Sequence, residues 1–354
     1  MKNLLIFITL FYLQSTSLFS QNTDTLSHKK AQFTFAYPVG SNGINSTKYS
    51  NNVSFNVLYG LNGGFQGVEM ASLFNYNQGN ASGVQLGGIL NFNTGVSSGL
   101  FLSGITNYLG SNSRSWQFAG ISNIGRGSAK GVSVSGTFNF NLGTYEGVQI
   151  SPINIVQDTV KGFQLGVVNI DRKLEGFGFG VINILQNGES GIPFGVINIV
   201  KKGYYALEIS TGEAIYSNLT FKMGVEKLYT IFKAGYSQFN SEPIYSTGLG
   251  FGTLISLADK HKVSIDLSSS HLIYDNKWES DLNLLNKADV NYQYYINEAL
   301  SLYIGPSINA YITQIVTEEG FGTINIPYSL FSRENASHKF TMWAGLNAGF
   351  SYRF

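Results

Sequence analysis

The chain has 354 residues, a net charge of +1 and no cysteine, which excludes disulfides, cysteine-ligated metals and a cysteine-linked lipid anchor. Only 12% of the residues are charged, against about 25% in typical soluble domains, whereas 14% are aromatic and 41 are glycine. The near-neutral charge argues against an electrostatic nucleic-acid binder, and the many aromatics argue against disorder. The composition favours an ordered β protein whose outer surface does not face water.

The first twenty residues have the layout of a secretory signal peptide. Lys2 provides a positive start, Leu4–Leu13 is an apolar run too short to span a membrane as a helix, and Ser15–Ser20 is rich in small residues. The alternative is a buried N-terminal strand. The signal interpretation predicts that residues 1–20 are removed, that the mature protein begins near Gln21, and that it leaves the cytoplasm.

A glycine-rich repeat fills residues 53–203, and each unit ends on an asparagine. A unit contains a stretch of alternating residues followed by a few turn-forming residues, and successive asparagines are 14 to 16 positions apart. Repetition this even indicates one supersecondary unit used many times. The terminal asparagines are Asn75, Asn91, Asn107, Asn123, Asn139, Asn154, Asn169, Asn183 and Asn198.

The two faces of each repeat differ in chemistry, and two architectures fit them. In the copy at Gly162, Phe163 and Leu165 share one face while Gln164 lies on the other. In an up-and-down barrel each copy is one membrane-crossing strand, with lipid outside and a wet lumen inside. In a β-solenoid each copy is one coil and the asparagines stack as an internal ladder. The polarity of the two faces favours the barrel, in which the asparagines would form local hydrogen bonds in turns. The even spacing of the repeats favours the solenoid.

The alternation continues through the C-terminal third without the repeat. Its last strand places apolar residues such as Leu346 and Phe350 on one face, and it ends on Phe354. This strand resembles the C-terminal strand of bacterial outer-membrane β-barrels. The resemblance implies that the outer-membrane barrel assembly machinery reads Phe354.

A second resemblance covers roughly Val53 to Gly235. The units of the GVQLGGILN type, followed by FGVINIVKKGYYALEIS and NLTFKMG, are similar to the surface-repeat proteins of Bacteroidota and spirochaetes. That family has no established activity to transfer. The resemblance therefore implies a location in the envelope and a repeat architecture only.

These patterns together predict an all-β protein. The expected fold is a closed antiparallel transmembrane β-barrel of roughly 16–20 strands, partly built from the repeats of about 15–16 residues. The alternative is a β-solenoid repeat region with a smaller C-terminal barrel. The predicted segments are a signal peptide (1–20), an N-terminal segment with the first strand (21–52), the repeat region (53–203) and C-terminal barrel strands (204–354).

The predicted function is that of an integral outer-membrane β-barrel with an envelope role, either a passive pore or a surface structural or adhesive protein. A surface solenoid for binding or adhesion, anchored by a C-terminal barrel, is the alternative. We expect no catalytic residues, cofactor or metal, and outer-membrane lipid but no nucleic acid as partner. The polar residues predicted to line a lumen are Gln85, Gln149, Gln164, Lys222, Glu226, Lys233, Asp266 and Arg353.

A lipid hydrolase is the distant alternative. Ser268–Ser270 stand beside His271, and a serine–histidine pair is the usual arrangement for nucleophilic hydrolysis. No nucleophile elbow and no partner acid can be recognised around them. The sequence therefore favours a protein that is not an enzyme.

Overall fold

A computed structural model describes residues 26–187, 190–239, 242–274, 281–317, 320–324, 326 and 328–354. The described chain contains thirty β-strands and one short 3-10 helix, Gly43–Lys48. The prediction of an all-β protein is confirmed. The predicted signal peptide, residues 1–20, lies outside the described residues.

The repeats form a parallel β-solenoid in which every strand pairs with its equivalent in the next coil. A coil consists of a long arm, a two-residue turn, a short arm and a turn to the next coil. The first nineteen strands are β1 (Ser27–Ala36), β2 (Val39–Gly40), β3 (Tyr49–Asn62), β4 (Gly64–Ala71), β5 (Phe74–Asn77), β6 (Ala81–Gly87), β7 (Leu90–Asn93), β8 (Ser97–Ser103), β9 (Thr106–Leu109), β10 (Ser113–Ala119), β11 (Ser122–Gly125), β12 (Ala129–Ser135), β13 (Phe138–Asn141), β14 (Tyr145–Ile150), β15 (Ile153–Leu165), β16 (Val168–Phe179), β17 (Ile182–Asn187), β18 (Ile192–Phe194) and β19 (Ile197–Val200).

The repeated glycine has a steric reason. Gly147 has φ +136°, and a Cβ built on it would lie 2.0 Å from the carbonyl oxygen of Gly131 in the preceding coil. The close stacking of coils leaves no room for a side chain there. Ser115 occupies the equivalent position one coil before Gly131 without a positive φ, so the restriction is strict in most coils but not in all.

The C-terminal part is a closed antiparallel barrel of eight strands, because β30 pairs with both β26 and β20. The short strand β29 adds to β30, and β27 pairs with β28 in a hairpin. The strands are β20 (Tyr204–Gly212), β21 (Ser217–Val225), β22 (Leu228–Phe239), β23 (Glu242–Ala258), β24 (His261–Tyr274), β25 (Asn283–Tyr295), β26 (Leu300–Thr313), β27 (Val316–Thr317), β28 (Gly320–Phe321), β29 (Phe331–Glu334) and β30 (Lys339–Arg353).

The closed antiparallel barrel is confirmed, but the predicted number of roughly 16–20 strands is wrong. The barrel has eight strands, because the repeats pair in parallel with one another and contribute none to its wall. Consecutive strands of an up-and-down barrel run antiparallel, so in-register parallel pairing such as Asn139 with Asn154 rules out that arrangement for the repeats. The alternative, a solenoid followed by a smaller barrel, describes the fold.

The hairpin of β21 and β22 covers the open end of the solenoid. Val225 packs in one apolar cluster with Leu185 and Val200 of the last coils. Thr230 accepts a hydrogen bond from the Asn198 amide at 2.9 Å and donates one to the Gly195 carbonyl at 2.7 Å. The barrel therefore satisfies polar groups that the last coil would otherwise expose at its edge.

Candidate functional site

The outside of the barrel is apolar along every strand. Side chains at alternate positions face outward, and the polar ones between them face the interior. Such a surface suits hydrocarbon, and each of the eight barrel strands is paired on both sides, as a sheet that faces lipid requires. The exposed residues of this outer surface include Leu207, Ile209, Leu219, Leu249, Ile265, Leu267, Leu302, Ile304, Ile308, Leu346 and Phe350.

The middle of the barrel holds a buried ionic cluster. The Lys222 side chain is only 1% exposed, and its ammonium lies 2.9 Å from the Glu208 carboxylate and 2.8 Å from that of Asp266. The Tyr229 hydroxyl donates a 2.6 Å hydrogen bond to Asp266. These four side chains come from β20, β21, β22 and β24, so the cluster ties different parts of the barrel wall together across its interior.

The end of the barrel with the short turns carries a second ionic group. Glu226, in the turn between β21 and β22, accepts from Lys262 at 3.0 Å and pairs with Arg353. Further along the interior lies Lys233, half-buried, and Lys287 and Asp289 make an ion pair of 3.5 Å. All five lumen candidates from the C-terminal third therefore lie on the inner face or at one rim of the barrel.

The opposite end of the barrel is filled by the connection between β20 and β21. Ile215 in this connection is buried in one cluster with Trp343 and Tyr311. Glu213 accepts hydrogen bonds from the Trp343 indole and the Asn309 amide, both at 2.9 Å. An eight-stranded barrel is just wide enough for its side chains to fill, and here a loop fills one end as well.

The three glutamines predicted to line a lumen lie elsewhere. Gln85, Gln149 and Gln164 are buried inside the solenoid, so their assignment to a barrel lumen was wrong. Gln164 donates to Gln149 at 2.9 Å, and Gln85 donates to Glu69 at 2.6 Å. Their strands alternate as barrel strands do, but the polar face points into the coil.

The repeat asparagines form a continuous ladder through the solenoid. Each amide nitrogen donates to the amide oxygen of the next coil, and the contact from Asn139 to Asn154 is 3.0 Å. Most rungs also donate to a backbone carbonyl at the two-residue turn, as Asn139 does to Ile150. The asparagines therefore stack as an internal ladder, as the solenoid alternative predicts, and most of them also bond to a carbonyl beside a turn of the next coil. The other rungs of the ladder join Asn56, Asn75, Asn91, Asn107, Asn123, Asn169, Asn183 and Asn198.

Removing one rung should be costly. In Asn139→Ala, the amides of Asn123 and Asn154 and the Ile150 carbonyl lose a buried partner, and we expect the solenoid to lose about 2–3 kcal/mol of unfolding free energy. Urea unfolding followed by amide hydrogen exchange of the repeats measures this. Gln157→Ala, at an exposed position of β15 outside the ladder, is the control and should change stability by less than about 0.5 kcal/mol. Equal effects from both variants would contradict a structural ladder.

Two acidic side chains are buried inside the solenoid, and sequence reasoning missed both. Glu69 accepts hydrogen bonds from Asn62, Asn77 and Gln85, yet burial raises the pKa of its carboxyl. Burial also raises the pKa of Asp171 from 3.8 to about 7, against the lowering effect of a hydrogen bond from Gln164. The alternation of side chains between the two faces of a strand is the signal that could have found them. Glu69, Asp171 and also Glu208 in the barrel each lie on the polar face of their strand.

Asp171 makes solenoid stability depend on pH. Because its folded pKa is raised, the folded state keeps a proton that the unfolded state releases, so stability is greatest below about pH 4 and falls until about pH 7. We expect Asp171→Asn to remove its own part of this decline, leaving that of Glu69, and to raise the unfolding free energy at pH 8 by up to about 4 kcal/mol. Urea unfolding at pH 5 and pH 8 tests it. Asp158→Asn, in the part of β15 that joins two coils, should keep the full decline. An unchanged decline in Asp171→Asn would contradict the assignment.

The residues considered for hydrolysis do not share a face. Ser268 and Ser270 are buried on the inner face of β24, whereas His271 lies on the opposite face. Within the described ranges, no group of three or more His, Asp or Glu side chains comes together in a way that could hold a metal ion. Phe354 is exposed after the last barrel strand, and its ring stacks with Tyr205 and Phe221.

Among the residues described, no helix has the length and apolar character needed to cross a bilayer. A closed antiparallel barrel with apolar side chains outside and a polar interior is the construction of membrane β-barrels. The C-terminal part of this chain therefore belongs, by fold and surface, to the membrane β-barrel kind of protein.

Comparisons with known proteins add little to this. Neisserial surface protein A matches 43% of this chain and 96% of its own length, at 12% identity and a TM-score of 0.25. The de novo designed protein TMB2.3 matches 44% of this chain and 98% of its own length, at 17% identity and a TM-score of 0.23. Likenesses this weak carry no argument. No protein-family model matches the sequence, and the search of curated proteins gives no significant match.

Proposed function

We propose that this chain is an integral protein of the bacterial outer membrane, in which a closed barrel anchors the solenoid and the role is structural rather than catalytic. The observation that carries the proposal is the distribution of side chains in the barrel, which is the reverse of that in a soluble protein. Apolar side chains face outward, and the Lys222 cluster is buried inside. In this proposal, outer-membrane lipid is the partner that contacts the apolar outer surface of the barrel. Recognition of Phe354 by the assembly machinery stays a prediction.

The filled interior favours an anchor over a passive pore. Lys222 is held by Glu208 and Asp266 in the middle of the barrel, and Ile215 and Trp343 pack together at one end. An ion crossing the barrel would have to displace these groups from one another. Nor does the outside of the solenoid, which carries apolar residues such as Trp116 and Phe177, suit a water-exposed adhesion module.

Three measurements test the proposal. The protein should stay in the outer-membrane fraction after carbonate washing, and the folded form should migrate differently from the boiled form on gels. In planar bilayers it should give no steady conductance. Recovery as a soluble protein without detergent would overturn the membrane location, and stable conductance steps from the purified barrel would overturn the closed anchor.

A further inference from the structure

The solenoid has apolar side chains outside and polar side chains inside. The asparagine ladder and the buried glutamines fill its interior, while Phe177 on a long arm is 55% exposed. Aromatic rings also stack along the outside of the short arms, with Tyr76 and Phe92 5.0 Å apart and Phe92 and Tyr108 4.2 Å apart. Soluble proteins rarely expose apolar surface this continuous, so this surface is suited to contact with another apolar phase.

The two edges of the solenoid differ in polarity. We call the turns that join each long arm to its short arm the apolar edge; they hold Ile105, Ile121, Val167, Val181 and Val196, all of which are exposed. We call the turns that join successive coils the polar edge. In the coil that runs from Lys161 to Arg172, both of these residues lie at the polar edge. The chain between Lys161 and the apolar edge at Val167 carries the apolar side chains Phe163 and Leu165.

The depth of the apolar zone fits half a bilayer. From Phe163 to Val167 the chain advances four residues, which is about 13 Å at ~3.3 Å per residue. The hydrocarbon core of a bilayer is about 30 Å thick. An apolar zone of this depth reaches through the acyl chains of one leaflet when the polar edge stays at the headgroups.

The polar edge is basic. Nearly all the charged residues of the repeats lie at this edge, and the buried Glu69 and Asp171 are the exceptions. Of the edge residues that the structure describes, eight are basic and three are acidic. A basic band at the level of the headgroups is attracted to anionic lipid. These residues are Arg114, Arg126, Lys130, Lys161, Arg172, Lys173, Lys201 and Lys202, with Glu146, Asp158 and Glu175.

The apolar exterior of the solenoid continues onto that of the barrel. Phe194 of the last coil stacks on the outward-facing Phe251 of β23, with ring centroids 4.6 Å apart. The solenoid joins the barrel at Tyr204, at the end that carries the short turns 226–227 and 259–260. In bacterial outer-membrane barrels the short turns face the periplasm.

We propose that the solenoid lies in the membrane beside the barrel, with its apolar edge in the acyl chains of the periplasmic leaflet and its polar edge among anionic headgroups. The occupant of the apolar surface is lipid. Continuity with the barrel exterior, the leaflet-sized depth and the basic edge all point to it. This inference rests on the proposed membrane location of the barrel, since the barrel holds the solenoid at the bilayer.

Single-cysteine labelling tests the depth directly, because the chain has no cysteine of its own. Val167→Cys and Val181→Cys place a fluorophore at the apolar edge, Arg172→Cys at the polar edge and Leu267→Cys on the barrel exterior. Each full-length variant, checked for heat-modifiable migration, is reconstituted in phosphatidylethanolamine–phosphatidylglycerol vesicles. Quenching is measured with acyl-brominated lipid and with aqueous iodide.

We expect brominated lipid to quench the labels at 167, 181 and 267 strongly, and iodide to quench the label at 172. Iodide quenching at 167 and 181, with lipid quenching at 267, would overturn the inference and leave the barrel proposal intact. Labels at 167 and 181 reached by neither quencher would show that protein covers this edge, which also overturns it. Loss of lipid quenching at 267 as well would overturn the proposed function itself.

Discussion

Gly147→Ala should be among the most destabilising single substitutions in the chain. The new methyl group would meet the carbonyl oxygen of Gly131 2.0 Å away, and the residue has φ +136°. A strained backbone conformation costs about 1–3 kcal/mol and overpacking a similar amount. We therefore expect the unfolding free energy of the solenoid to fall by about 2–6 kcal/mol, measured by urea unfolding with hydrogen exchange at the repeats.

Ser115→Ala is the matched control for this prediction. Ser115 holds the same position in the coil before Gly131 and already carries a Cβ, so alanine adds no clash there. The variant loses only the hydrogen bond from Gln117, 3.0 Å long, and should cost about 1 kcal/mol. If both alanine variants have the same small effect, the coils do not stack as closely as the structure indicates.

Lys222→Met should destabilise the barrel by about 3–5 kcal/mol, because it leaves two buried carboxylates without their cation. Glu208 and Asp266 lie within 3 Å of the ammonium, and the methionine side chain fills similar space but carries no charge. Urea unfolding of the protein in lipid vesicles, followed by amide hydrogen exchange of the barrel strands, measures the loss.

Neutralising the whole cluster separates the charge effect from packing. A triple variant with Lys222→Met, Glu208→Gln and Asp266→Asn leaves no unpaired buried charge, and we expect it to recover most of the stability that Lys222→Met loses. Conductance recorded on the same variants shows whether the cluster also closes the barrel. A Lys222→Met protein as stable as the parent would show that the ion pairs contribute nothing to the barrel.

Much of the chemistry of each strand could be predicted from the sequence. Alternation with a period of two indicates strands with one apolar and one polar face, and Lys222 and Asp266 do lie inside the barrel as polar-face residues. Glu208 was missed although it obeys the same parity. The pairing of Lys222 with Asp266, 44 residues apart, needed the tertiary structure because it depends on which strands are neighbours.

What the sequence by itself determined is the polarity of every strand, since side-chain direction in a strand alternates whatever its partner. What only the tertiary structure decided is which partner each strand takes. A repeat such as Gly162–Val167 has the same two faces in an antiparallel barrel and in a parallel coil. Contacts between repeats decide in favour of the parallel coil. Gly147 stacks on Gly131, and the Asn139 amide donates to Asn154. These contacts exist only once the coils have stacked, so no single repeat reveals them.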